Sequence, residues 1–161
     1  MQDNQQLITM IAERLVKQGQ QITCIESCTG GGLAAAFTEL AGSSVWFEQG
    51  YVTYSNQAKQ QMIGVSPQTL AQYGAVSQQV ASEMAEKGRL QAKAAIAVAI
   101  TGIAGPAGGS EQTPVGTVFL AFATAQATHV YKKIFAGERQ QVRQQAINFA
   151  LITLVDEILI N

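Results

Sequence analysis

One segment near the amino terminus constrains the fold more than any other part of the chain. Residues 22–25 form a short β-branched run, residues 27–32 are small and polar and include three consecutive glycines, and residues 33–37 are alanine-rich and apolar. This succession predicts a strand, a turn and a helix. It matches neither the dinucleotide-binding nor the P-loop pattern, so the plain alternative is a glycine turn that only reverses the chain.

The predicted turn would stand where α/β proteins bind ligands. In open α/β sheets, ligands bind at the carboxyl ends of the strands, and a helix that begins there presents free backbone N–H groups and a partial positive charge. Ser27 and Cys28 lie in this turn, and both are potential nucleophiles. We therefore predict an anion-binding turn beside a candidate nucleophile.

Helical and strand patterns alternate along the rest of the chain. Helices are predicted at 4–18, 33–42, 57–62, 78–90 and 137–160, with a further helix that begins at Pro67. Strands are predicted at 22–25, 45–54, 94–100, 116–125 and 129–135, the last two as a hairpin. The continuous apolar run at 94–100 is typical of a buried central strand. At 161 residues the chain predicts one domain, residues 1–161, with a three-layer α/β/α architecture and a mixed, mostly parallel sheet.

The charge content argues against a nucleic-acid partner. Charged residues make up 13% of the chain, the formal net charge is -1, and no basic stripe is present. Affinity for nucleic acid depends on a basic field, which this composition does not supply. A surface poor in charge favours a homo-oligomer, which we expect to be a dimer. No signal peptide or membrane-length apolar run is present, so we expect a cytoplasmic protein without a membrane partner.

Cysteine and histidine usage argues against a metal site. Cys24 and Cys28 lie four residues apart, and the single histidine, His129, is far along the chain. These spacings do not form a zinc ligand set. We expect reduced thiols, no metal and no cofactor.

A serine nucleophile needs a base within hydrogen-bond reach. His129 lies in a predicted hairpin strand, where a single imidazole is more often a surface or packing residue, so a Ser-His-Asp arrangement is not favoured. Glu26 is the only acid in the first glycine turn, and we interpret it as a buried acceptor or orienting group.

Lysine remains as the candidate base. Five lysines are expected on solvated faces: Lys17, Lys87, Lys93, Lys132 and Lys133. Lys59 instead follows an aromatic segment, five residues after Tyr54. To act as a base its pKa must fall from about 10.4 toward about 7, which corresponds to about 4 to 5 kcal/mol. Partial burial and a positive neighbour, such as the start of the glycine-turn helix, can supply this; the alternative is a solvent-facing helix residue.

Five blocks of residues resemble the CinA C-terminal domain family. In chain order they are 26–31 (ESCTGG), 50–59 (GYVTYSNQAK), 74–77 (GAVS), 101–110 (TGIAGPAGGS) and 114–118 (PVGTV). The resemblance implies a metal-independent serine amidohydrolase that converts nicotinamide mononucleotide to nicotinic acid mononucleotide and ammonia, in the recycling of pyridine nucleotides. The implied partner is a small nucleotide substrate.

The resemblance also implies roles for individual residues. Ser27 would be the nucleophile, Lys59 the base, and Tyr54 a proton-relay or positioning residue. The implied substrate-binding residues are Glu26, Cys28, Thr29, Gly30, Gly31, Thr101, Gly102, Ile103, Ala104, Gly105, Gly109, Ser110, Arg139 and Arg143. N–H groups of the two glycine turns would hold the oxyanion and the phosphate, in either order, and Arg143 is preferred over Arg139 as the phosphate-binding arginine.

Two other functions stay open. The chain could be a catalytically silent nucleotide-binding or interaction module, since some members of the family are associated with competence or DNA damage. Cysteine chemistry through Cys28 is the second alternative. Ser27, Tyr54 and Lys59 together favour the enzyme, because a binding module has no need of all three.

Overall fold

The computed structural model of the chain describes residues 3–160, and a five-stranded sheet lies at its centre. The strands are β1 (Ile22–Glu26), β2 (Tyr51–Val52), β3 (Ile96–Gly102), β4 (Thr117–Ala123) and β5 (Thr128–Ile134), in the spatial order β2-β1-β3-β4-β5. β1 pairs parallel with β2 and β3, whereas β4 pairs antiparallel with β3 and β5. The α/β class and the mixed sheet are confirmed. The expectation that most pairings are parallel is wrong, because two pairings are parallel and two are antiparallel. The short hairpin connection after β4 permits only antiparallel pairing of β4 with β5.

Helices cover both faces of this sheet. They are α1 (Asn4–Gln18), α2 (Gly32–Thr38), α3 (Asn56–Ala58), α4 (Pro67–Tyr73), α5 (Gln78–Ala92) and α6 (Arg139–Thr153), with π-helical turns at Lys59–Ile63 and Leu154–Ile158. α1, α2 and α6 form one core with Ile96, Val98 and Ile100 of β3. α4 and α5 form the other core with Ala97 and Ala99. This is the predicted three-layer α/β/α arrangement.

The predicted start and end of α1 and the predicted starts of α4 and α5 agree with the capping residues of the structure, whereas α2 ends at Thr38, four residues before its predicted end. Asp3 accepts a hydrogen bond from the N–H of Gln5 at the start of α1, and Gly19 ends that helix with a φ of 64°. Pro67 is the first residue of α4, and the Ser77 side chain caps α5. These signals act within a few residues of the helix end, which is why the sequence alone could predict them.

Small residues let α5 approach the sheet closely. Alanines from β3 and β4 line that face of the sheet. A Cβ on Gly88 of α5 would lie 2.3 Å from Cδ1 of Ile25, so only glycine fits this contact. The loop before α5 lies against the end of β3, where Thr101 Oγ1 donates to the carbonyl of Ala75 at 2.8 Å.

The aromatic segment 45–54 is not the continuous strand that its composition predicts. Only Tyr51–Val52 pairs with β1, and Phe47 forms an isolated bridge with Ile22. Trp46 and Phe47 turn into the core and pack on Phe37, with ring centroids 5.5 Å and 5.3 Å apart. Burial of large aromatic rings outweighs β-propensity here, because that propensity reflects packing on a half-buried surface.

The last helix ends near the first one. α6 ends at Thr153 and is followed by the π-helical turn Leu154–Ile158. Arg14 of α1 donates hydrogen bonds to the carbonyl of Val155 in this turn and to that of Leu159 just beyond it. Of the helices within residues 3–160, none is both long enough and apolar enough to cross a membrane.

Candidate active site

The carboxyl ends of β1 and β3 lie side by side, and the segments that follow them line one cavity. Glu26 is paired with Ile100, and the N–H of Ser27 donates to the Ile100 carbonyl at 2.9 Å. Ser27 therefore stands directly beyond the last paired residue of β1, beside the end of β3. The cavity has a volume of about 300 Å³ and opens at this edge of the sheet.

Lys59 lines the cavity beside Ser27. Lys59 Nζ donates to Ser27 Oγ at 2.9 Å and to the Thr53 carbonyl at 2.9 Å. The Lys59 side chain is only 1% exposed, so it is not the solvent-facing residue of the alternative interpretation. The Thr53 N–H donates to the Glu26 carbonyl at 2.7 Å, which ties this segment to the end of β1. Lys59 begins a π-helical turn, a feature that is frequent at functional sites.

Burial lowers the pKa of Lys59 below its ordinary value of 10.5. The neighbouring Cys28 acts in the opposite direction and more weakly. An amine removed from water favours its neutral form, and a neutral amine can accept a proton from a hydroxyl. The pKa of Lys59 is therefore shifted in the direction expected for a base, and the cause is burial rather than the start of α2.

The start of α2 does not present free donors to the cavity. Glu26 is fully buried, and its carboxylate accepts hydrogen bonds from Thr29 Oγ1 at 2.6 Å, Leu33 N at 2.8 Å and Ala34 N at 3.0 Å. This carboxylate satisfies the first N–H groups of the helix and compensates its partial positive charge. The Glu26 carboxylate thus takes the N–H groups of Leu33 and Ala34, and this geometry does not favour the predicted anion site at the helix start.

We expect Glu26→Gln to lower the free energy of unfolding by about 2–4 kcal/mol. The three donors would compete for the single acceptor oxygen of an amide, and buried hydrogen bonds to a charged group contribute about 1.5–3 kcal/mol each. Urea unfolding with an unchanged m-value measures the loss. The exposed Glu48→Gln is the control and should change the value by less than about 0.5 kcal/mol. A Glu26→Gln effect no larger than this control would contradict the capping role.

The second glycine turn leaves a backbone donor on the side of β3 that faces β1. Ile103 bonds to the β4 side, since its N–H donates to the Thr117 carbonyl at 2.9 Å and its carbonyl accepts from Gly116 at 2.8 Å. Successive residues of a strand direct their N–H groups to opposite edges, so the Gly102 N–H faces the Ser27 edge. A Cβ on Gly102 would lie 2.8 Å from the Thr117 carbonyl oxygen, so this position requires glycine.

In the first turn, by contrast, two N–H groups are already engaged. Gly30 donates to the Ser27 carbonyl at 3.0 Å, and Gly32 donates to the Thr29 carbonyl at 3.0 Å. The Gly102 N–H is thus a better candidate for an oxyanion donor than the N–H groups of Gly30 and Gly32.

The two arginines of α6 occupy different environments. Arg139 donates to the Gly105 carbonyl at 2.8 Å and to the Tyr54 hydroxyl at 2.9 Å, and both of these partners line the cavity. Arg143 lies one helical turn later and donates to the carbonyls of the first glycine turn at 3.1 Å and 3.2 Å. The preference for Arg143 as the phosphate-binding arginine does not fit this geometry, which brings Arg139 to the cavity instead.

Tyr54 lies at the rim of the cavity. Its side chain is 59% exposed, and its hydroxyl contacts Arg139 rather than Ser27 or Lys59 among the hydrogen bonds of residues 3–160. This placement fits a positioning residue better than a proton relay.

Cys28 is a poor nucleophile in this environment. Burial raises the pKa of its thiol to about 11, and the side chain is 7% exposed. A thiol with a raised pKa is largely protonated at neutral pH and is weakly reactive. The alternative of cysteine chemistry is therefore not favoured.

The cavity brings together most of the residues predicted for the site. Its lining includes Ser27, Cys28, Tyr54, Lys59, Thr101, Gly102, Ile103, Ala104, Gly105 and Arg139. The other predicted residues lie outside this lining: Glu26, Thr29, Gly30, Gly31, Gly109, Ser110 and Arg143. The sequence analysis missed Asn56, Ala75, Val76, Ala107 and Gly108. All five fall within the blocks 50–59, 74–77 and 101–110, whose resemblance to the family was the signal that could have found them.

Metal ligands do not gather at this site. Across residues 3–160, no group of three or more His, Cys, Asp or Glu side chains is arranged to hold a metal ion.

A family comparison identifies the family of this chain. Residues 4–158 match the model of the CinA C-terminal domain, and the chain belongs to this family.

Individual members of the family resemble the chain over nearly its whole length. It is 52% identical over 157 residues to the nicotinamide-nucleotide amidohydrolase PncC of Escherichia coli (strain K12), which covers 97% of this chain and 95% of that protein. The protein of the same name from Pseudomonas putida is 46% identical over 145 residues, which covers 90% and 91%. A CinA superfamily protein from Klebsiella pneumoniae 700603 has a crystal structure that superposes with a TM-score of 0.93 at 38% identity, covering 98% of each chain.

Proposed function

We propose that this protein is a nicotinamide-nucleotide amidase, which hydrolyses nicotinamide mononucleotide to nicotinic acid mononucleotide and ammonia. The observation that carries the proposal is the 2.9 Å contact between buried Lys59 Nζ and Ser27 Oγ at the edge of a cavity. A buried amine beside a hydroxyl is an activated nucleophile with its base. The names of the relatives from E. coli and P. putida support the substrate.

The first half of the proposed reaction is acylation. Neutral Lys59 accepts the Ser27 proton while Oγ attacks the carboxamide carbon, and the resulting oxyanion is stabilised by the Gly102 N–H. The intermediate collapses to an ester on Ser27. Protonated Lys59 gives its proton to the leaving nitrogen, which departs as ammonia.

The second half is deacylation. Lys59, neutral again, accepts a proton from a water molecule that attacks the ester carbon. Collapse of the second intermediate breaks the bond to Ser27 Oγ, which recovers its proton from Lys59. Nicotinic acid mononucleotide is released as the carboxylate.

Arg139 is the proposed phosphate ligand. Its guanidinium lies at the rim of the cavity, where Tyr54 and the Gly105 carbonyl orient it. A planar guanidinium can bind two phosphate oxygens at once. The chain has a formal net charge of -1, so attraction of an anionic substrate has to be local.

Ammonia release from nicotinamide mononucleotide by the purified protein tests the proposal. Ser27→Ala is the control for contaminating amidases. Tight binding of the nucleotide without ammonia release would instead favour the silent nucleotide-binding module. A homodimer and a cytoplasmic location stay predictions of the composition, and sedimentation of the purified protein tests the first.

We expect kcat/KM to rise with pH along a limb set by Lys59. Acylation requires the neutral amine, so activity is lost as the pH falls below the Lys59 pKa. Because burial lowers this pKa, the midpoint of the limb should lie below 10.5, the ordinary lysine value. A series of kcat/KM values between about pH 6 and 10 measures it, with circular dichroism as the control for folding. Activity that falls as the pH rises through this range would contradict a lysine base.

A further inference from the structure

We propose that Arg143 is a positioning residue, whose guanidinium holds the turn that carries the nucleophile and thereby keeps Ser27 aligned with Lys59. The inference rests on the proposed function, because it assigns Ser27 as the nucleophile. Arg143 Nε donates to the Cys28 carbonyl at 3.1 Å, and Arg143 Nη2 donates to the Thr29 carbonyl at 3.2 Å.

The turn has a backbone shape that leaves these carbonyls in need of donors. Gly30 and Gly31 both have positive φ values, 59° and 101°, so the chain does not enter α2 directly after Ser27. The Thr29 carbonyl also accepts a hydrogen bond from the Gly32 N–H. For the Cys28 carbonyl, the donor among residues 3–160 is Arg143. Partly buried carbonyls that lose their donors are costly, so the turn would relax without the guanidinium.

The fit between the arginine and the turn is close. A Cβ on Gly30 would lie 3.4 Å from Arg143 Nη2, which is ordinary van der Waals contact, so the guanidinium lies directly against the turn. A planar fork with donors at fixed spacing suits two adjacent carbonyls, whereas a lysine ammonium could serve only one of them well.

The held peptide adjoins the reacting atom. The Cys28 carbonyl belongs to the residue directly after Ser27, whose own N–H is anchored to Ile100 on β3. Rotation of the chain at Cys28 would move Ser27 Oγ relative to Lys59 Nζ. A misplacement of about 1 Å in a catalytic group can cost about 100-fold in rate. Two arginines of α6 thus have separate roles: Arg139 faces the substrate and Arg143 faces the nucleophile turn.

The test measures the reactivity of Ser27 with a probe that carries no phosphate or nucleotide. Phenylmethanesulfonyl fluoride sulfonylates an activated serine and releases fluoride. The wild type should be labelled at Ser27, and Ser27→Ala should not. Arg143→Gln should slow labelling by about 10- to 100-fold and lower kcat for the mononucleotide by a similar factor, with KM changed by less than about threefold.

Two comparisons separate positioning from substrate binding and from loss of fold. Arg143→Lys keeps the charge and one donor, so it should recover only part of the labelling rate. The ratio of kcat/KM for nicotinamide mononucleotide to that for nicotinamide riboside should stay unchanged in both Arg143 variants. Arg139→Gln, one turn earlier on the same helix, should instead reduce that ratio and affect labelling less.

Three results would overturn the inference. Labelling and kcat at the wild-type level in Arg143→Gln would show that the turn does not need the arginine. A reduced mononucleotide-to-riboside ratio would show that Arg143 binds phosphate. Full recovery by Arg143→Lys would show that only its charge matters. Failure of the proposed function looks different: the wild type would release no ammonia from the mononucleotide, whatever the Arg143 variants do to labelling.

Discussion

Ser27→Ala and Lys59→Met should each lower kcat for nicotinamide mononucleotide by at least about 1,000-fold, and the double variant should be little worse than either one. Both residues serve the same step, and members of one catalytic unit are non-additive because the loss of either disables that step. Steady-state ammonia release measures all three variants. Methionine is chosen because it is of similar length to lysine and apolar, which suits a site that is 1% exposed.

Cys28→Ala is the matched control, because Cys28 lines the same cavity next to the nucleophile. It should retain most of the activity, since burial keeps its thiol protonated. Thermal unfolding of each variant separates loss of chemistry from loss of fold. Folded Ser27→Ala or Lys59→Met with a rate within tenfold of the wild type would exclude the Ser-Lys mechanism. Loss of activity in Cys28→Ala with survival of Ser27→Ala would move the nucleophile by one residue.

Arg139→Gln should lower kcat/KM for nicotinamide mononucleotide by about 2–4 kcal/mol, or roughly 30- to 1,000-fold, and should change kcat/KM for nicotinamide riboside little. The phosphate is remote from the amide, and binding energy from a remote group can position the reacting carbonyl. The expected size is that of a lost charge-assisted contact made by two hydrogen bonds. Measurement of both substrates with wild type and variant closes the cycle.

Tyr54→Phe distinguishes the two roles considered for Tyr54. This variant removes the hydroxyl that contacts Arg139 and keeps the ring. If Tyr54 orients the arginine, the loss should be larger for the mononucleotide than for the riboside. Equal losses with both substrates would indicate a proton relay instead.

For Arg139→Gln, equal losses with the mononucleotide and the riboside would show that Arg139 supports the fold or the chemistry rather than binding of the phosphate.

Much of the fold could be predicted from the sequence because the relevant signals are local. The caps at Asp3 and Ser77, the stop at Gly19 and the apolar run of β3 each act through neighbouring residues or through simple periodicity. The prediction for segment 45–54 failed because its aromatic residues pack on Phe37 of α2, nine and ten residues earlier, rather than on a neighbouring strand. Trp46 and Phe47 pack on a helix, and no local pattern distinguishes that from the face of a strand.

The candidate site was predicted less evenly. Ser27 and Lys59 were predicted from the glycine turn, from elimination among possible bases, and from resemblance to a family to which the chain belongs. Glu26 was predicted only to be a buried acceptor or orienting group. That prediction did not show that its carboxylate takes helix N–H groups that were expected to bind an anion. A strand carboxylate and a bound anion are equivalent partners for helix N–H groups, so the sequence could not decide which one occupies the helix start.

The sequence by itself determined the order of helices and strands, the residue types available for chemistry, and the two glycine turns at strand ends. Only the tertiary structure decided which side chains meet. The contact between buried Lys59 and Ser27 requires β2, α3 and the end of β1 to pack together. Arg139 and Arg143 lie one turn apart on α6, so helical periodicity places both on the same face and does not distinguish them. They differ in the residues that each contacts across the fold. Such long-range contacts cannot be recognised from local sequence patterns.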